Sequence, residues 1–197
     1  FGRIGRLLAR NYIERSGPAA LLNLRAVVCR PSKDPAADLR KRASLLRTDS
    51  IHGAFNATVE VDEDRLCLIA NGNRIQFIYA PDPAGLNYGE YGIKNAILID
   101  NTGVWKADAG LGQHLASSGV EKVLLTAPAK GDIPNIVYGV NDGEIAGQSI
   151  ISAASCTTNA ATPVLKVLDK TYGIEQGHIE TVHSFTNDQN LIDNFHK

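Results

Sequence analysis

The first residues of the chain read Phe1-Gly2-Arg3-Ile4-Gly5-Arg6. Gly2 and Gly5 have the spacing of the last two glycines in the G-x-G-x-x-G pattern of dinucleotide-binding folds, whose first glycine would precede Phe1. In those folds the glycines let the backbone approach a pyrophosphate, which rests on the N-terminus of the following helix. Apolar residues predict such a helix here, ending at the breaker Ser16-Gly17-Pro18. A plain turn into a helix accounts for the same residues equally well, so this stretch alone leaves cofactor binding open.

Short apolar runs and helical patterns alternate along the chain from this stretch onward. Strands are predicted at residues 24–29, 96–99, 122–126, 136–140 and 149–152, and helices at 38–47 and 107–117. Three short antiparallel strands are predicted at 58–61, 66–69 and 74–79, with Asn71-Gly72 as a hairpin turn. The continuous apolar run at 96–99 is typical of a buried parallel strand. The alternation predicts an α/β fold with a doubly wound, mostly parallel Rossmann-type sheet.

Small polar residues follow two of the predicted parallel strands. The strand at 96–99 ends in Asp100-Asn101-Thr102-Gly103, and the strand at 122–126 ends in Thr126-Ala127-Pro128. The carboxyl ends of parallel strands line the ligand crevice in such folds. The small residues after the strand at 96–99 are therefore candidates for cofactor contact.

The last predicted strand leads into Ser152-Ala153-Ala154-Ser155-Cys156-Thr157-Thr158-Asn159. From Ala161 the apolar spacing predicts a helix, with residues 157–159 as N-cap candidates, Pro163 in the first turn, and Lys170 and Gly173 as the stop signal. Cys156 should then lie at or just before a helix N-terminus. Unpaired N–H groups and the positive end of the helix dipole favour a thiolate there.

His183 lies further along, within a strand predicted at residues 179–185. A helix–turn–strand return can bring this imidazole near the start of the helix that follows Cys156. There it can hold the thiolate as an ion pair and shuttle a proton during turnover. The alternative is that Cys156 is a small buried hydrophobe and His183 a satisfied structural group, and residue types alone leave that alternative open.

Ser155-Cys156-Thr157-Thr158-Asn159, followed by His183-Ser184-Phe185-Thr186, closely resembles the phosphorylating glyceraldehyde-3-phosphate dehydrogenase family. Further segments occur in the family's order: Phe1-Gly2-Arg3-Ile4-Gly5-Arg6, Asp49-Ser50-Ile51-His52-Gly53, Asn101-Thr102-Gly103-Val104, Thr126-Ala127-Pro128 and Tyr138-Gly139-Val140-Asn141. The resemblance runs nearly the whole chain and implies a fragment of such a protein. It implies that residues 1–155 form the NAD(P)-binding domain without its first strand, and that residues 156–197 begin an α+β catalytic domain. Such an isolated piece is expected to be inactive.

The resemblance also implies a reaction. In this family glyceraldehyde 3-phosphate, phosphate and NAD(P) are converted to 1,3-bisphosphoglycerate in glycolysis or gluconeogenesis. Cys156 would form a thiohemiacetal and then a thioester, and His183 would accept the proton. The Cys156 backbone N–H and the His183 ring are candidate donors to the oxyanion. A non-catalytic nucleotide-binding module is the alternative, although such a protein would typically lose one of these two residues.

Phosphate contacts are carried over residue by residue from the same resemblance. Ser155 and Thr157 match the family's site for the attacking phosphate, and Thr186 and Asp188 match the site for the substrate's own phosphate. An erythrose-4-phosphate dehydrogenase is the nearest alternative. Those sister enzymes tend to lack the His-Ser-aromatic-Thr run, so the presence of Thr186 favours glyceraldehyde 3-phosphate.

The cofactor residues that the resemblance implies are Gly2, Arg3, Ile4, Gly5, Thr102, Gly103 and Thr126. NAD-dependent members carry an Asp after the second strand, where it binds the ribose hydroxyls. This chain has Cys29-Arg30-Pro31-Ser32-Lys33 there. Because an arginine can pair with a 2′-phosphate in a fork geometry, Arg30 predicts acceptance of NADP beside NAD. The alternative is that Arg30 points to solvent and that Asp34 or Asp38 binds the ribose.

Composition limits the other partners. The chain has 197 residues and a formal net charge of −1, which argues against nucleic acid or an anionic membrane as the main partner. No apolar run approaches the ~20 residues of a membrane-spanning helix. The three cysteines are widely spaced and form no disulfide framework, as expected in a reducing cytoplasmic compartment. No metal site is expected, and a homotetramer of the full-length protein is implied by the resemblance only.

Overall fold

The computed structural model of the chain describes residues 1–16 and 20–184. Its helices are α1 (Arg3–Glu14), α2 (Pro35–Arg47), α3 (Asp108–Ala116) and α4 (Cys156–Tyr172). Its strands are β1 (Ala26–Cys29), β2 (Thr48–Asp49), β3 (Gly53–Ala54), β4 (Val59–Asp62), β5 (Cys67–Ala70), β6 (Asn73–Tyr79), β7 (Ala96–Asp100), β8 (Val120–Leu125) and β9 (Ile150–Ser152). Two 3₁₀ helices span Tyr88–Tyr91 and Asp142–Ile145. No helix within these described residues combines the length and the apolar character needed to cross a bilayer.

The first half of the chain builds a mixed sheet in the order β1-β6-β5-β4. β1 and β6 are parallel, whereas β4, β5 and β6 form an antiparallel meander whose last connection is the predicted Asn71-Gly72 turn. Both turn residues have positive φ angles, 47° and 78°, as this type of two-residue hairpin requires. α2 packs on the sheet through the fully buried Leu39 and Leu46. It begins where the Asp34 side chain accepts the Ala37 N–H.

The second half builds a parallel sheet in the order β7-β8-β9. Its core contains Val123, Leu125 and Ile150 from the strands and Leu111 from α3. A smaller apolar cluster around Tyr88 packs between the end of β6 and the start of β7. Within the described residues the strands form these separate sheets rather than one continuous sheet. The parallel pairs and the helices in their connections confirm the predicted α/β, Rossmann-type class.

One predicted strand, at residues 136–140, is wrong. Only Asn135 bridges to Ser152 in this region. The Asn141 side chain then accepts the Val137 N–H at 2.8 Å and turns the chain. The Val137 N–H, which would pair with a neighbouring strand, is bonded instead to an asparagine side chain. This is how an asparagine competes with regular secondary structure.

The segment around the cysteine agrees with its prediction only in part. α4 begins at Cys156, which confirms that the cysteine lies at a helix N-terminus, but Pro163 lies inside the helix rather than in its first turn. The predicted helix end is confirmed, because Gly173 follows the last residue of α4 with a φ of 74°. The strand predicted at 179–185 is not formed at residues 179–184, which are exposed and irregular, and residue 185 lies outside the described residues.

Candidate active site

The Cys156 sulfur and the His183 imidazole lie together at the N-terminus of α4. Cys156 Sγ is 3.2 Å from His183 Nε2, which is within hydrogen-bonding distance. The other ring nitrogen, Nδ1, contacts the Ser184 carbonyl oxygen, and this contact fixes the ring and its proton. Both side chains are exposed, so a substrate can reach the sulfur. The structure therefore brings together the two residues whose proximity was predicted, although His183 lies on an irregular segment rather than a strand.

The surroundings of the sulfur favour its ionised form. The contact with His183 is the largest cause that lowers the pKa of Cys156, and the Ser155 hydroxyl, 4.0 Å away, and the Thr157 backbone N–H act in the same direction. The same contact, together with the Ser184 carbonyl, raises the pKa of His183. Opposite shifts on two partners favour a thiolate–imidazolium pair over a thiol and a neutral imidazole. The helix dipole adds to this effect, because the cysteine is the first residue of α4.

A strained turn precedes the cysteine. Ala154 is buried and has a φ of 58°, in the left-handed region, which costs a residue with a Cβ about 1–2 kcal/mol. The Ala154 N–H donates to the Ser152 hydroxyl oxygen at 3.0 Å. The Asn159 side-chain amide donates to the carbonyl oxygens of Ala153 at 2.7 Å and of Ser155 at 2.9 Å. Two polar side chains thus hold the turn that leads into α4.

Ser152 connects this turn to the loop after β8. Its side chain is fully buried. Its hydroxyl lies 2.7 Å from the Ala127 carbonyl oxygen and 2.9 Å from Asn135 Oδ1, and it can donate to either. Asn135 Oδ1 also accepts the Ala129 N–H at 3.0 Å. The loop after β8 and the turn before α4 are therefore one hydrogen-bonded unit.

Two hydroxyl groups flank the cysteine at the start of α4. Ser155 Oγ and Thr157 Oγ1 are 3.0 Å apart, beside the first N–H groups of the helix. Hydroxyl and N–H donors at a helix N-terminus suit a phosphate. The other two predicted phosphate contacts, Thr186 and Asp188, lie outside the described residues and stay predictions.

The glycine turn, the end of β7 and the end of β8 lie close together. Asn101 Nδ2 lies 3.7 Å from the position that a Cβ on Gly5 would occupy, and Thr126 Oγ1 donates to Asn101 Oδ1 at 3.2 Å. Gly2, the N-cap of α1, faces open space, and the first turn of the helix contains no acidic residue. The exposed segment 2–4 therefore presents unpaired N–H groups without a repelling charge. This arrangement fits the pyrophosphate of a dinucleotide.

The loop after β7 follows Asn101 directly. Asp100 Oδ1 accepts the Thr102 N–H at 2.6 Å, and Thr102 Oγ1 accepts the Val104 N–H at 3.1 Å. Gly103 lies between them with a φ of 71°, a conformation that glycine adopts without strain. Thr102 and Gly103 are both exposed. They therefore lie next to Asn101 and are accessible, and their contact with a cofactor stays a prediction.

Arg30 directly follows β1 and is exposed. The two acidic residues considered as alternatives for the ribose are both engaged elsewhere. Asp34 caps α2, and Asp38 pairs with Arg42 and accepts the Tyr79 hydroxyl. This arrangement favours Arg30 over either carboxylate as the group available to a cofactor.

The sequence did not predict the salt bridges that hold the first turn of α1. The buried Asp49 carboxylate binds Arg6 at 3.0 Å and Arg3 at 3.4 Å. It also accepts the backbone N–H groups of Ile51 and His52, which are the largest causes that hold the pKa of Asp49 far below its ordinary value. The loop that follows α2 is thus tied to the first turn of α1. In the sequence this loop is marked only by the family-like segment that begins at Asp49. Nothing in that segment indicates that the Asp49 carboxylate pairs with arginines.

A glycine turn beside the ends of parallel strands, with a cysteine–histidine contact at the start of a later helix, is typical of a class: a dinucleotide-binding α/β protein with an exposed cysteine beside a histidine. The particular family follows from similarity to known proteins. Residues 1–108 match the family described as glyceraldehyde 3-phosphate dehydrogenase, NAD binding domain, and residues 155–197 match the C-terminal domain of that enzyme. The chain therefore belongs to the glyceraldehyde-3-phosphate dehydrogenase family, whose cofactor is NAD or NADP.

Known relatives align with the chain from end to end. It is 61% identical over 198 residues to a glyceraldehyde-3-phosphate dehydrogenase-like protein of Pseudomonas aeruginosa (strain UCBPP-PA14), covering 100% of this chain and 42% of the relative. It is 39% identical to glyceraldehyde-3-phosphate dehydrogenase of Thermotoga maritima, covering 100% of this chain and 56% of the relative. It is 40% identical to the chloroplastic glyceraldehyde-3-phosphate dehydrogenase A of Zea mays, covering 100% of this chain and 46% of the relative. The chain thus spans about half the length of the curated relatives it matches.

Proposed function

We propose that the full-length protein oxidises glyceraldehyde 3-phosphate and captures phosphate to give 1,3-bisphosphoglycerate, with Cys156 as nucleophile and His183 as proton acceptor. The observation that carries this proposal is the 3.2 Å contact between Cys156 Sγ and His183 Nε2 at the N-terminus of α4. A thiolate is nucleophilic near neutral pH and leaves readily from an acyl carbon. Both properties are needed, because the same sulfur must first attack an aldehyde and later depart from a thioester.

In the first half of the reaction the Cys156 thiolate adds to the aldehyde carbon. The developing oxyanion accepts hydrogen bonds from the Cys156 backbone N–H and the His183 ring, and the imidazolium protonates it to give the thiohemiacetal. His183 takes this proton back as the carbon is oxidised, which leaves a thioester on the sulfur. Bound NAD or NADP supplies the hydride acceptor for the oxidation. In the second half phosphate attacks the thioester carbonyl, and Cys156 leaves as a thiolate.

Four side chains are assigned to the two phosphates in this proposal. Ser155 and Thr157 bind the attacking phosphate, which is supported by the 3.0 Å separation of their hydroxyl oxygens beside Cys156. Thr186 and Asp188 bind the phosphate of the substrate, an assignment that rests on the family resemblance alone.

The proposal includes NADP as a cofactor beside NAD. Its support is that the exposed Arg30 follows β1 while Asp34 and Asp38 are engaged within α2. A guanidinium binds a 2′-phosphate through two parallel hydrogen bonds, whereas the acid that it replaces would repel one.

The remaining assignments concern the whole protein. We infer a domain boundary between residues 155 and 156, which is supported by the start of the C-terminal family match at residue 155 and by the start of α4 at Cys156. A homotetramer that acts in the cytoplasm, in glycolysis or gluconeogenesis, is proposed from the family resemblance.

The test of the reaction uses the full-length protein with either glyceraldehyde 3-phosphate or erythrose 4-phosphate, each with phosphate and NAD or NADP. We expect glyceraldehyde 3-phosphate to be preferred, and Cys156→Ser to lower kcat by at least about 1,000-fold because an alcohol is far less ionised at neutral pH. A higher kcat/KM for erythrose 4-phosphate would support the sister activity instead. Full activity of Cys156→Ser would exclude the proposed mechanism.

The test of the cofactor uses Arg30→Asp, with Lys33→Asp as a matched control that reverses a neighbouring exposed charge. Loss of a bidentate phosphate contact of about 1.5–3 kcal/mol should lower kcat/KM for NADP by about 10- to 100-fold. The value for NAD should not fall, and Lys33→Asp should change the NADP/NAD ratio little. Equal ratios for the two variants would contradict the role of Arg30.

A further inference from the structure

We propose that Asn159 is a positioning residue whose side-chain amide holds the left-handed turn at Ala154 and thereby directs the Cys156 backbone N–H and sulfur. This role rests on the proposed function of Cys156 as nucleophile. Asn159 itself lies within α4, in its first turns, and is exposed. It touches neither the sulfur nor the imidazole in the described hydrogen bonds. Its action therefore passes through the backbone of the turn.

The Asn159 side-chain amide binds carbonyl oxygens on both sides of Ala154. Asn159 Nδ2 donates to the Ala153 carbonyl oxygen at 2.7 Å and to the Ser155 carbonyl oxygen at 2.9 Å. The backbone N–H of Asn159 also donates to the Ser155 carbonyl oxygen at 2.9 Å. The carbonyl before Ala154 and the carbonyl after it are therefore both engaged by one residue. Rotation about Ala154 would break at least one of these bonds.

The bond to Ser155 has a direct consequence for the nucleophile. A peptide unit is planar and trans, so the Ser155 carbonyl and the Cys156 N–H belong to one rigid plane and point in opposite directions. By holding this carbonyl, the Asn159 amide sets the direction of the N–H that the proposed reaction uses to stabilise the oxyanion. It also sets where α4 begins, and hence which N–H groups face the sulfur.

The start of α4 lacks the usual side-chain cap that fixes a helix N-terminus. Ser155 occupies the N-cap position, but its side chain makes no capping hydrogen bond to the helix. Its hydroxyl instead lies 3.0 Å from Thr157 Oγ1. A serine at this position normally accepts an N–H of the first turn and fixes the helix entry. Because the Ser155 hydroxyl does not cap the helix, the turn that leads into α4 is held instead by the Asn159 amide and the Ser152 hydroxyl.

The experiment compares Asn159→Ala with Thr171→Ala in the full-length protein. Thr171 is the matched control, because its hydroxyl donates to the Val167 carbonyl oxygen at 2.8 Å on the same helix, far from the cysteine. Alanine is the strongest helix former, so neither change weakens α4 through helix propensity. We expect Asn159→Ala to lower kcat by about 10- to 100-fold, since small misplacements of reacting groups cost this much. The KM for the cofactor should stay unchanged.

Two further readouts separate positioning from general stability. The pH profile of Cys156 alkylation by iodoacetamide should move to higher pH in Asn159→Ala and stay unchanged in Thr171→Ala. Asn159→Asp, which keeps the side-chain shape but has no N–H to donate, should show the same losses as the alanine variant. Adding Ala154→Gly to Asn159→Ala should recover part of kcat, because glycine adopts the positive φ without the amide.

Each outcome decides the proposal. An Asn159→Ala variant with the kcat and the alkylation profile of the parent overturns it. A damaged Asn159→Ala variant that gains nothing from Ala154→Gly also overturns it, because the effect then does not pass through the turn. Failure of the proposed function gives a different result: the parent itself would show no turnover and would alkylate at Cys156 like an ordinary thiol, which overturns both proposals.

Discussion

Replacing Ser152 by alanine should destabilise the turn before α4 by roughly 2–4 kcal/mol. The side chain is fully buried, so no water can replace its hydroxyl. Without the hydroxyl the Ala154 N–H loses the acceptor 3.0 Å away, and the Ala127 carbonyl oxygen loses the donor 2.7 Å away. The buried Ala154 N–H left without a partner costs about 1–3 kcal/mol, and the lost bond to the half-buried Ala127 carbonyl costs about 1 kcal/mol. Asn135 Oδ1 is excluded from the sum because it keeps a second donor.

Amide hydrogen exchange of the full-length protein, followed by mass spectrometry, measures this cost at the turn itself. When opening is fast and reversible, the exchange rate follows the opening equilibrium, so roughly 2–4 kcal/mol corresponds to acceleration by about 30- to 1,000-fold. The relevant peptide contains β9 and the start of α4. Exchange in a peptide from the sheet β1-β6-β5-β4 serves as an internal reference and should change little.

Ser118→Ala is the matched control for this measurement. It removes the same atom and one hydrogen bond, from Ser118 Oγ to Asn87 Oδ1 at 2.6 Å, but the residue is exposed and water replaces the lost bond. Its effect should stay within about 0.5 kcal/mol. If Ser152→Ala accelerates exchange at the turn no more than Ser118→Ala does, the buried hydroxyl does not stabilise the turn and the reasoning is wrong.

Four further substitutions test other parts of the chain. His183→Asn should move the alkylation profile of Cys156 to higher pH, because the imidazole contact is the largest cause that lowers the pKa of the thiol; an unchanged profile would exclude the ion pair. Asp49→Asn should make the free energy of unfolding less dependent on pH in acid. The pKa of Asp49 is depressed on folding, so its stabilising effect is complete above its ordinary value of 3.8 and is lost as the pH falls below it. Urea unfolding at several pH values should show the parent losing more stability than the variant. Gly119→Ala should destabilise by about 3 kcal/mol or more, because a Cβ at a φ of 102° would stand 2.4 Å from a backbone carbonyl oxygen. Gly112→Ala, in open space within α3, should instead stabilise by about 0.5–1 kcal/mol, and thermal unfolding shifts of the same sign for both glycines would contradict this account.

The parts of the fold that local patterns determine were predictable. The Asn71-Gly72 turn has the residue types that positive φ requires, and the apolar run at 96–99 correctly marked the parallel strand β7, although Ile97 is exposed rather than buried. The proximity of Cys156 and His183 needed more than residue types. It was predicted from a helix–turn–strand return that can bring the imidazole back to the start of the helix, and the structure shows the contact although the expected strand is not formed at residues 179–184.

The parts that depend on side chains reaching across the backbone were not predictable. Ile136 and Val137 are apolar and buried, as in a strand, but no local pattern reveals that the Asn141 side chain captures the Val137 N–H. Apolar spacing located α4 only from Ala161, because Thr157, Thr158 and Asn159 in its first turn are polar. The turn before the helix was hidden as well, because an alanine at position 154 gives no sign of a positive φ, which glycine or asparagine would signal.

Long-range charge pairs were missed for a different reason. Asp49 binds Arg3 and Arg6, which are more than 40 residues away in the sequence. Charged residues are usually solvated, so a carboxylate in a loop gives no indication of such partners. The pairing becomes visible only when α1 and the end of α2 are packed together.

The three cysteines of the chain differ in solvent exposure, so their reaction with a thiol reagent reports the opening of the sheet that buries two of them. Cys29 in β1 and Cys67 in β5 are buried, whereas Cys156 is exposed. A short pulse of thiol reagent should therefore add one label to every native molecule, and further labels only to molecules whose four-stranded sheet has come apart during the pulse. Counting labels per molecule by mass would then report how often that sheet opens, without any engineered probe.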